Sequence, residues 1–252
     1  MLKKVLDKTE ELVKECGKIM LNAQRDSSMV SLKEGHANFV TTYDKAIQER
    51  LRKGLLEILP EATFIGEEED IHPGLSRRYA FVVDPIDGTT NFIRDYKQSC
   101  ISVALLENSI QMMGVVYNPY LDEMYTAIKD EGAFLNGTRI KVSDNSLEDG
   151  IVIIGTSPYY QEYNQKSFDL AYQYFQKALD IRRSGSSALD LCNIAAGRAE
   201  VFFELRLSPW DYAAGALIVK EAGGTVTTQE GGNLIFDGPC SVFATNGIVE
   251  LL

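Results

Sequence analysis

The sequence predicts a mixed α+β domain spanning residues 1–252, built from two packed halves that meet near residue 145, and three observations predict it. Leu2, Val5, Leu6, Leu12, Val13, Cys16 and Met20 recur at helical spacing with Lys and Glu between them. Residues 99–143 are short apolar stretches separated by turn pairs, as in an antiparallel meander. From Gly150 onward, strand-like and helix-like stretches alternate instead. The change of pattern divides the domain into subdomains of approximately 1–145 and 146–252, with a crevice between them where a ligand would sit.

The first two dozen residues read as an amphipathic helix with a structural role. A polar connection containing Lys33, Gly35 and His36 follows, and Thr41-Thr42-Tyr43-Asp44 opens a second helix. Its Ile47, Leu51, Leu55 and Ile58 face inward until Pro60 stops it. Thr63-Phe64-Ile65 and Tyr79-Ala80-Phe81-Val82-Val83 read as strands, the second apolar throughout and β-branched at its end. In the meander the turn pairs are Asn108-Ser109, Asn118-Pro119 and Asn136-Gly137, the last suited to a two-residue hairpin. Beyond Gly150 the expected order is strand Ile151–Gly155, helix Phe168–Leu179, strand Ile181–Gly185 and helix Ser187–Ala196 closed by Gly197. A strand Glu200–Glu204 and a helix from Ser208 complete the series.

Composition narrows the function classes. With 36 acidic against 25 basic residues the formal charge is −11, which argues against nucleic acid as a main partner and leaves no basic patch for a membrane. Cys16, Cys100, Cys192 and Cys240 are scattered, with neither the Cys-x-x-Cys spacing of a zinc site nor a disulfide framework, so they read as reduced thiols of a cytoplasmic protein. Charges run through residues 1–20, and no apolar h-region or membrane-length run is present.

Chemistry concentrates in Asp84-Pro85-Ile86-Asp87-Gly88-Thr89-Thr90-Asn91-Phe92, directly after a strand. Two carboxylates, a glycine and two hydroxyls bring hard oxygen ligands and backbone N–H groups to one place, which suits a cation and a phosphate. The bland reading of Asp87-Gly88 is an Asx-turn. Gly66-Glu67-Glu68-Glu69-Asp70, taken alone, is a solvated acidic loop. If the strands before these two stretches are neighbours in one sheet, Glu67 lies beside Asp84 and Asp87, and three carboxylates so placed stay ionised only beside cations, of which Mg²⁺ fits better than zinc. Ser208-Pro209-Trp210-Asp211 makes a complete helix start, so Asp211 is locally a cap, as Asp44 is at Thr41-x-x-Asp44. Lys33 and His36 have no assignable duty. An aspartyl-phosphate route is disfavoured, because the phosphatases that use it carry Asp-x-Asp-Gly-Thr and Pro85 occupies the nucleophile's position here.

Gly66-Glu67-Glu68, then Asp84 to Thr90, then Trp210-Asp211-Tyr212-Ala213-Ala214-Gly215, in that order and at those separations, resemble the inositol monophosphatase family, with a likeness running from Lys33 to Gly224. The resemblance implies a layered α-β-α-β-α sandwich of two sheets, Mg²⁺-dependent phosphomonoester hydrolysis with two or three ions per subunit, and a homodimer. By position it implies Glu67, Asp84 and the Ile86 carbonyl as ligands of one ion and Asp84, Asp87 and Asp211 as ligands of a second. A weaker third ion would sit near Glu67, which counts with Asp44 and Thr89 among the catalytic residues. Asp44 and Thr89 would orient and deprotonate the attacking water, while Gly88 and Thr89 offer backbone N–H groups to the phosphate. Asp87, Thr156, Gly185, Ser186, Ser187 and Glu204 would face the substrate, with Glu204, placed at a strand end, accepting from its hydroxyls. Ser186 and Ser187 stand where the family often has Thr and Ala, so a fructose bisphosphate, adenosine bisphosphate or histidinol phosphate stays open beside inositol monophosphate. A non-catalytic scaffold is the alternative from another class, and Arg182 and Arg183 read as a second-phosphate or subunit contact, or simply as solvated.

Overall fold

A computed structural model describes residues 1–25, 29–32, 39–69, 75 and 78–252; Lys33, Gly35, His36 and Asp70 lie outside the described residues. Helix α1 (Leu2–Leu21) buries Val5, Leu6, Leu12, Val13, Cys16 and Met20, the stripe its sequence announces. The connection read as merely polar carries a two-stranded antiparallel ribbon, β1 (Val30–Leu32) and β2 (Phe39–Thr41). Strands of three residues are too short to show a period. Helix α2 (Thr42–Ile58) starts at a complete capping box between Thr41 and Asp44.

Next come β3 (Thr63–Gly66), β4 (Tyr79–Asp87) and the short α3 (Thr89–Ile93), then the meander β5 (Cys100–Glu107), β6 (Ile110–Asn118), β7 (Glu123–Ile128), β8 (Gly132–Leu135) and β9 (Thr138–Ile140). Both residues of the Asn108-Ser109 and Asn136-Gly137 turns have positive φ, the conformation of a type I′ hairpin. Strand β4 runs four residues past Val83, because its ladder with β5 continues through Asp84 opposite Ser102 and Asp87 opposite Cys100. The register shifts between those pairs, where Pro85 has no N–H to give.

The second half holds β10 (Ile151–Ile154), α4 (Asn164–Phe175), β11 (Asp180–Arg182), α5 (Ser187–Ala195), β12 (Val201–Leu207), α6 (Pro209–Glu221), β13 (Thr225–Thr227) and β14 (Cys240–Thr245). Helix α4 lies about one turn earlier than expected, since its polar first turn, Asn164-Gln165-Lys166, carries no apolar signal. Strand β12 extends past Glu204 to Leu207, so Glu204 is inside a strand rather than at its end. The chain after Gly224 contributes β13 and β14, which the sequence reading did not anticipate.

Among the described residues the strands form a seven-stranded sheet, β3-β4-β5-β6-β7-β8-β9, and a five-stranded sheet, β11-β10-β12-β14-β13. Three apolar cores hold five layers together. Ile101, Val103 and Leu105 of β5 face α1 and α2, whereas Cys100, Ala104 and Leu106 face the other way into a core shared with α5, α6 and the second sheet. On β12, Phe202 joins that central core while Val201, Phe203 and Leu205 pack with Leu170, Ala171 and Tyr174 of α4. The order is therefore α-β-α-β-α, with α5 and α6 in the middle. Strand β4 is buried at every residue because both faces of its sheet are covered, which is why it reads as a continuous apolar run.

Candidate active site

Strands β3 and β4 are parallel neighbours, with Gly66 opposite Val83, and the Glu67 N–H donates to the Val83 carbonyl at 3.1 Å. That register sets Glu67 one step beyond its sheet, level with Asp84. Gln48 of α2 steadies the acidic loop, its Oε1 accepting from the Glu68 N–H at 2.9 Å. Carboxylate oxygens of Asp84, Asp87 and Asp211 lie within 4.8 Å of one another.

Each of the three is held by one oxygen. Asp84 Oδ1 accepts from the Ile86 N–H at 2.9 Å, so an Asx-type turn, the bland reading of Asp87, is formed by Asp84 instead. Asp87 Oδ2 accepts from Ser186 Oγ and from the Ala188 N–H at 2.9 Å, with Cys100 Sγ at 3.7 Å. Asp211 Oδ2 accepts from the Ser208 N–H at 2.7 Å and so caps α6. Capping and ion binding are compatible because a carboxylate has a second oxygen.

Electrostatics identify the kind of group this cluster fits. Burial raises the Asp84 and Asp211 carboxyls well above the usual carboxylate range, and in both the Glu67 charge is the next cause. Asp87 is pushed up to about 6 by burial, against the lowering effect of its bonds to Ser186 and Ala188. Buried, mutually repelling carboxylates with all-oxygen donors suit a hard divalent cation such as Mg²⁺. Raised carboxyl values favour the protonated folded protein, so the stability they contribute is complete below their ordinary value near ~4 and is lost as pH rises, for Asp87 through about 6 and for Asp84 and Asp211 through their own raised values. In chelator, Tm is therefore expected to fall between about pH 5 and pH 7, and saturating Mg²⁺ should remove most of that fall. Thermal melts across this range check it, and a flat Tm in chelator would contradict the account.

Asp44 is fully buried and uses its two oxygens differently. Oδ2 accepts from the Thr41 N–H at 2.7 Å in the capping box, while Oδ1 stands 3.5 Å from Thr89 Oγ1. The Thr89 hydroxyl also lies 3.2 Å from the Ile86 carbonyl. Gly88, at φ +86°, ends β4 and begins α3, so the N–H groups of Gly88 and Thr89 come at the turn into a helix.

A cavity of about 580 Å³ opens over these groups, and every residue of the expected set lines it except Asp44, which stands behind Thr89. Across the cavity, Glu204 is 6% exposed and accepts from the Ser157 N–H at 2.7 Å and Ser187 Oγ at 2.9 Å. Strand alternation turns it to the same face as Phe202, toward the central layer. Arg206 does not pair with it but covers the Tyr160 ring at 4.4 Å. The hydroxyl of Ser186 is directed to Asp87, so this residue supports a member of the acidic cluster.

Of the polar lining residues, Ser157 and Asp190 carry no site assignment from the sequence, and Arg183 is left open there between a second-phosphate or subunit contact and a solvated position. Asp190, 2% exposed with Oδ1 unpartnered, was visible only as part of a helix start. Arg183 lines the cavity with a guanidinium N–H 3.4 Å from Thr156 Oγ1, while Arg182 pairs with Asp180 instead. Arg182 ends β11 and Arg183 begins the connection to α5, so which of the two faces the cavity is decided by how the chain leaves the sheet.

Fold and site together define a layered protein of two large sheets, with a buried acidic cluster that could hold a metal ion in the wall of the cavity. Residues 1–250 match the Inositol monophosphatase family, and the chain belongs to it. It is 37% identical over 216 residues to the Nus factor SuhB of Salmonella typhimurium, covering 85% of this chain and 81% of that protein. It is equally 37% identical over 225 residues to the inositol-1-monophosphatase of Rhizobium meliloti, covering 88% and 84%. The solved IMPase of Thermotoga maritima superposes with a TM-score of 0.87 at 33% identity, covering 96% of this chain and 92% of that one. Among the described residues no helix is long and apolar enough to cross a membrane.

Proposed function

We propose that this protein is a Mg²⁺-dependent phosphomonoesterase of the cytoplasm that hydrolyses myo-inositol monophosphate or a similar polyol phosphate by attack of water. The observation that carries the reading is the meeting, in one cavity, of a buried acidic cluster, a Thr89 backed by Asp44 and a buried Glu204. Glu67, Asp84, Asp87, Asp211 and the Ile86 carbonyl would hold the ions, which when bound lower the pKa of water and offset charge on phosphate and leaving oxygens.

The chain's own residues perform the rest. Thr89 Oγ1, between Asp44 Oδ1 and the Ile86 carbonyl, orients the water, and Asp44 Oδ1 takes its proton through that hydroxyl. Backbone N–H groups at Gly88 and Thr89 face the phosphate. Glu204, fixed by Ser157 and Ser187, keeps lone pairs for substrate hydroxyls. Phe168, Tyr172 and Phe175, exposed at helical spacing on one side of α4, provide a surface for the homodimer that the family likeness implies; sedimentation at micromolar concentration checks it.

The name Nus factor, borne by the Salmonella relative, supports an interaction role as the second reading. Phosphate release from inositol monophosphate, fructose 1,6-bisphosphate, adenosine 3′,5′-bisphosphate, histidinol phosphate and an aryl phosphate, with and without chelator, separates the two. Metal-dependent release led by the polyol is expected; no release from any of them would leave the interaction role standing.

Glu204→Gln retains the side chain's shape and weakens a charge-assisted hydrogen bond by about 1–2 kcal/mol, or roughly tenfold in kcat/KM. The loss is expected on inositol monophosphate and not on an aryl phosphate, which has no hydroxyl to offer. Parallel losses on both substrates would remove Glu204 from polyol recognition.

A further inference from the structure

The phosphate side and the polyol side of the cavity come from different halves of the chain, and they meet at two glycines. A Cβ on Gly88 would stand 2.9 Å from the Gln98 carbonyl and 3.1 Å from the Gly185 carbonyl. Gly185, at φ +88°, would direct a Cβ 3.2 Å from Asn91 Nδ2. The two backbones therefore touch, and the amide of Asn91 lies against the contact.

Asn91 Nδ2 donates to the Gln98 carbonyl at 2.7 Å and to the Ser184 carbonyl at 2.9 Å, so both of its hydrogens are used. One acceptor belongs to the turn leading into β5, and the other lies next to Gly185 in the opposite half. Two hydrogens on one small, neutral side-chain nitrogen are what an amide provides. The helix carrying Asn91 is itself anchored, since Arg25 Nε donates to the Phe92 carbonyl at 2.9 Å and its guanidinium covers the Phe92 ring at 5.0 Å. The Asn91 carbonyl accepts from the Tyr96 N–H at 2.9 Å.

We infer that Asn91 is a positioning residue that sets the separation between the phosphate loop at Gly88-Thr89 and the polyol wall at Gly185-Ser186-Ser187. It does not line the cavity and acts through the Ser184 carbonyl. This inference rests on the proposed polyol phosphatase activity for its consequence, while the clamp itself is a property of the chain. Asn91→Asp keeps the size but aims an acceptor at two carbonyls, which should push the 184–187 segment away.

Two measurements on the full chain with Mg²⁺ present test it. In Asn91→Asp, kcat/KM on myo-inositol 1-phosphate should fall about tenfold, chiefly through KM, and on 4-nitrophenyl phosphate by a clearly smaller factor. Backbone amides of residues 185–188 should exchange hydrogen faster than in the wild type, while those of α1 do not change. Equal losses on the two substrates, with KM unmoved, would reduce Asn91 to a general structural role. Unaltered exchange at 185–188 would overturn the clamp even if the wild type released no phosphate from inositol phosphate, so failure of the functional reading and of this inference are seen separately.

Discussion

Asp84→Asn is expected to lower turnover by about 10³-fold or more, or about 4 kcal/mol of transition-state stabilisation at ~1.4 kcal/mol per decade. Asp84 is the most deeply buried of the three close carboxylates, at 2% exposure, and in the proposed mechanism both ions share it. An amide oxygen can still accept the Ile86 N–H, so the turn into α3 survives. Removing one of several repelling buried charges should also stabilise the protein in chelator. The variant should therefore melt above the wild type without metal and gain little when Mg²⁺ is added. A variant that turns over normally, or whose Tm rises with Mg²⁺ as the wild type's does, would show that Asp84 holds no ion.

Asp44→Asn should lower kcat by about 10²- to 10³-fold while the protein's response to Mg²⁺ is kept. The single oxygen of the new amide is drawn to the Thr41 N–H, which the Asp44 carboxylate satisfies at 2.7 Å. Its NH₂ group then faces Thr89 Oγ1, where it can donate but cannot receive a proton. Helix α2 keeps its cap, so loss of stability should stay within about 1 kcal/mol. Kinetics and Mg²⁺-dependent melts on the same preparation check both halves. If Asp44→Asn and Asp84→Asn lose Mg²⁺-dependent stabilisation equally, Asp44 belongs with the ion-binding carboxylates.

Much of this molecule was legible in the chain because the relevant forces are local. Helical spacing set α1 and α2, Asn-Gly and Asn-Ser marked the hairpins, and the caps at Thr41 and Ser208 were named at the right residues. The sequence placed Glu67 beside Asp84 only on the condition that β3 and β4 are neighbours, and their parallel pairing, Gly66 opposite Val83, meets that condition. Boundaries drifted where nothing local marked them. Strand β4 ran on through Pro85, α4 began in a polar turn, and β13 and β14 went unseen as short strands in a stretch rich in Gly and Thr.

The sequence by itself determined the mix of helices and strands, the identity of the three clustered aspartates and, through motif order, the family whose likeness implies the layered sandwich, because side-chain type, periodicity and motif order are carried along the chain. Only the tertiary structure decided which oxygen does what. Asp44 divides its two oxygens between a cap and Thr89, Asp87 takes the Ser186 hydroxyl away from the substrate side, and Arg183 faces the cavity while Arg182 does not. Those assignments depend on partners as much as 101 residues away in the chain, as between Ala188 and Asp87. A hydrogen bond is settled by direction and distance to within a few tenths of an ångström, and a linear order of residues carries neither.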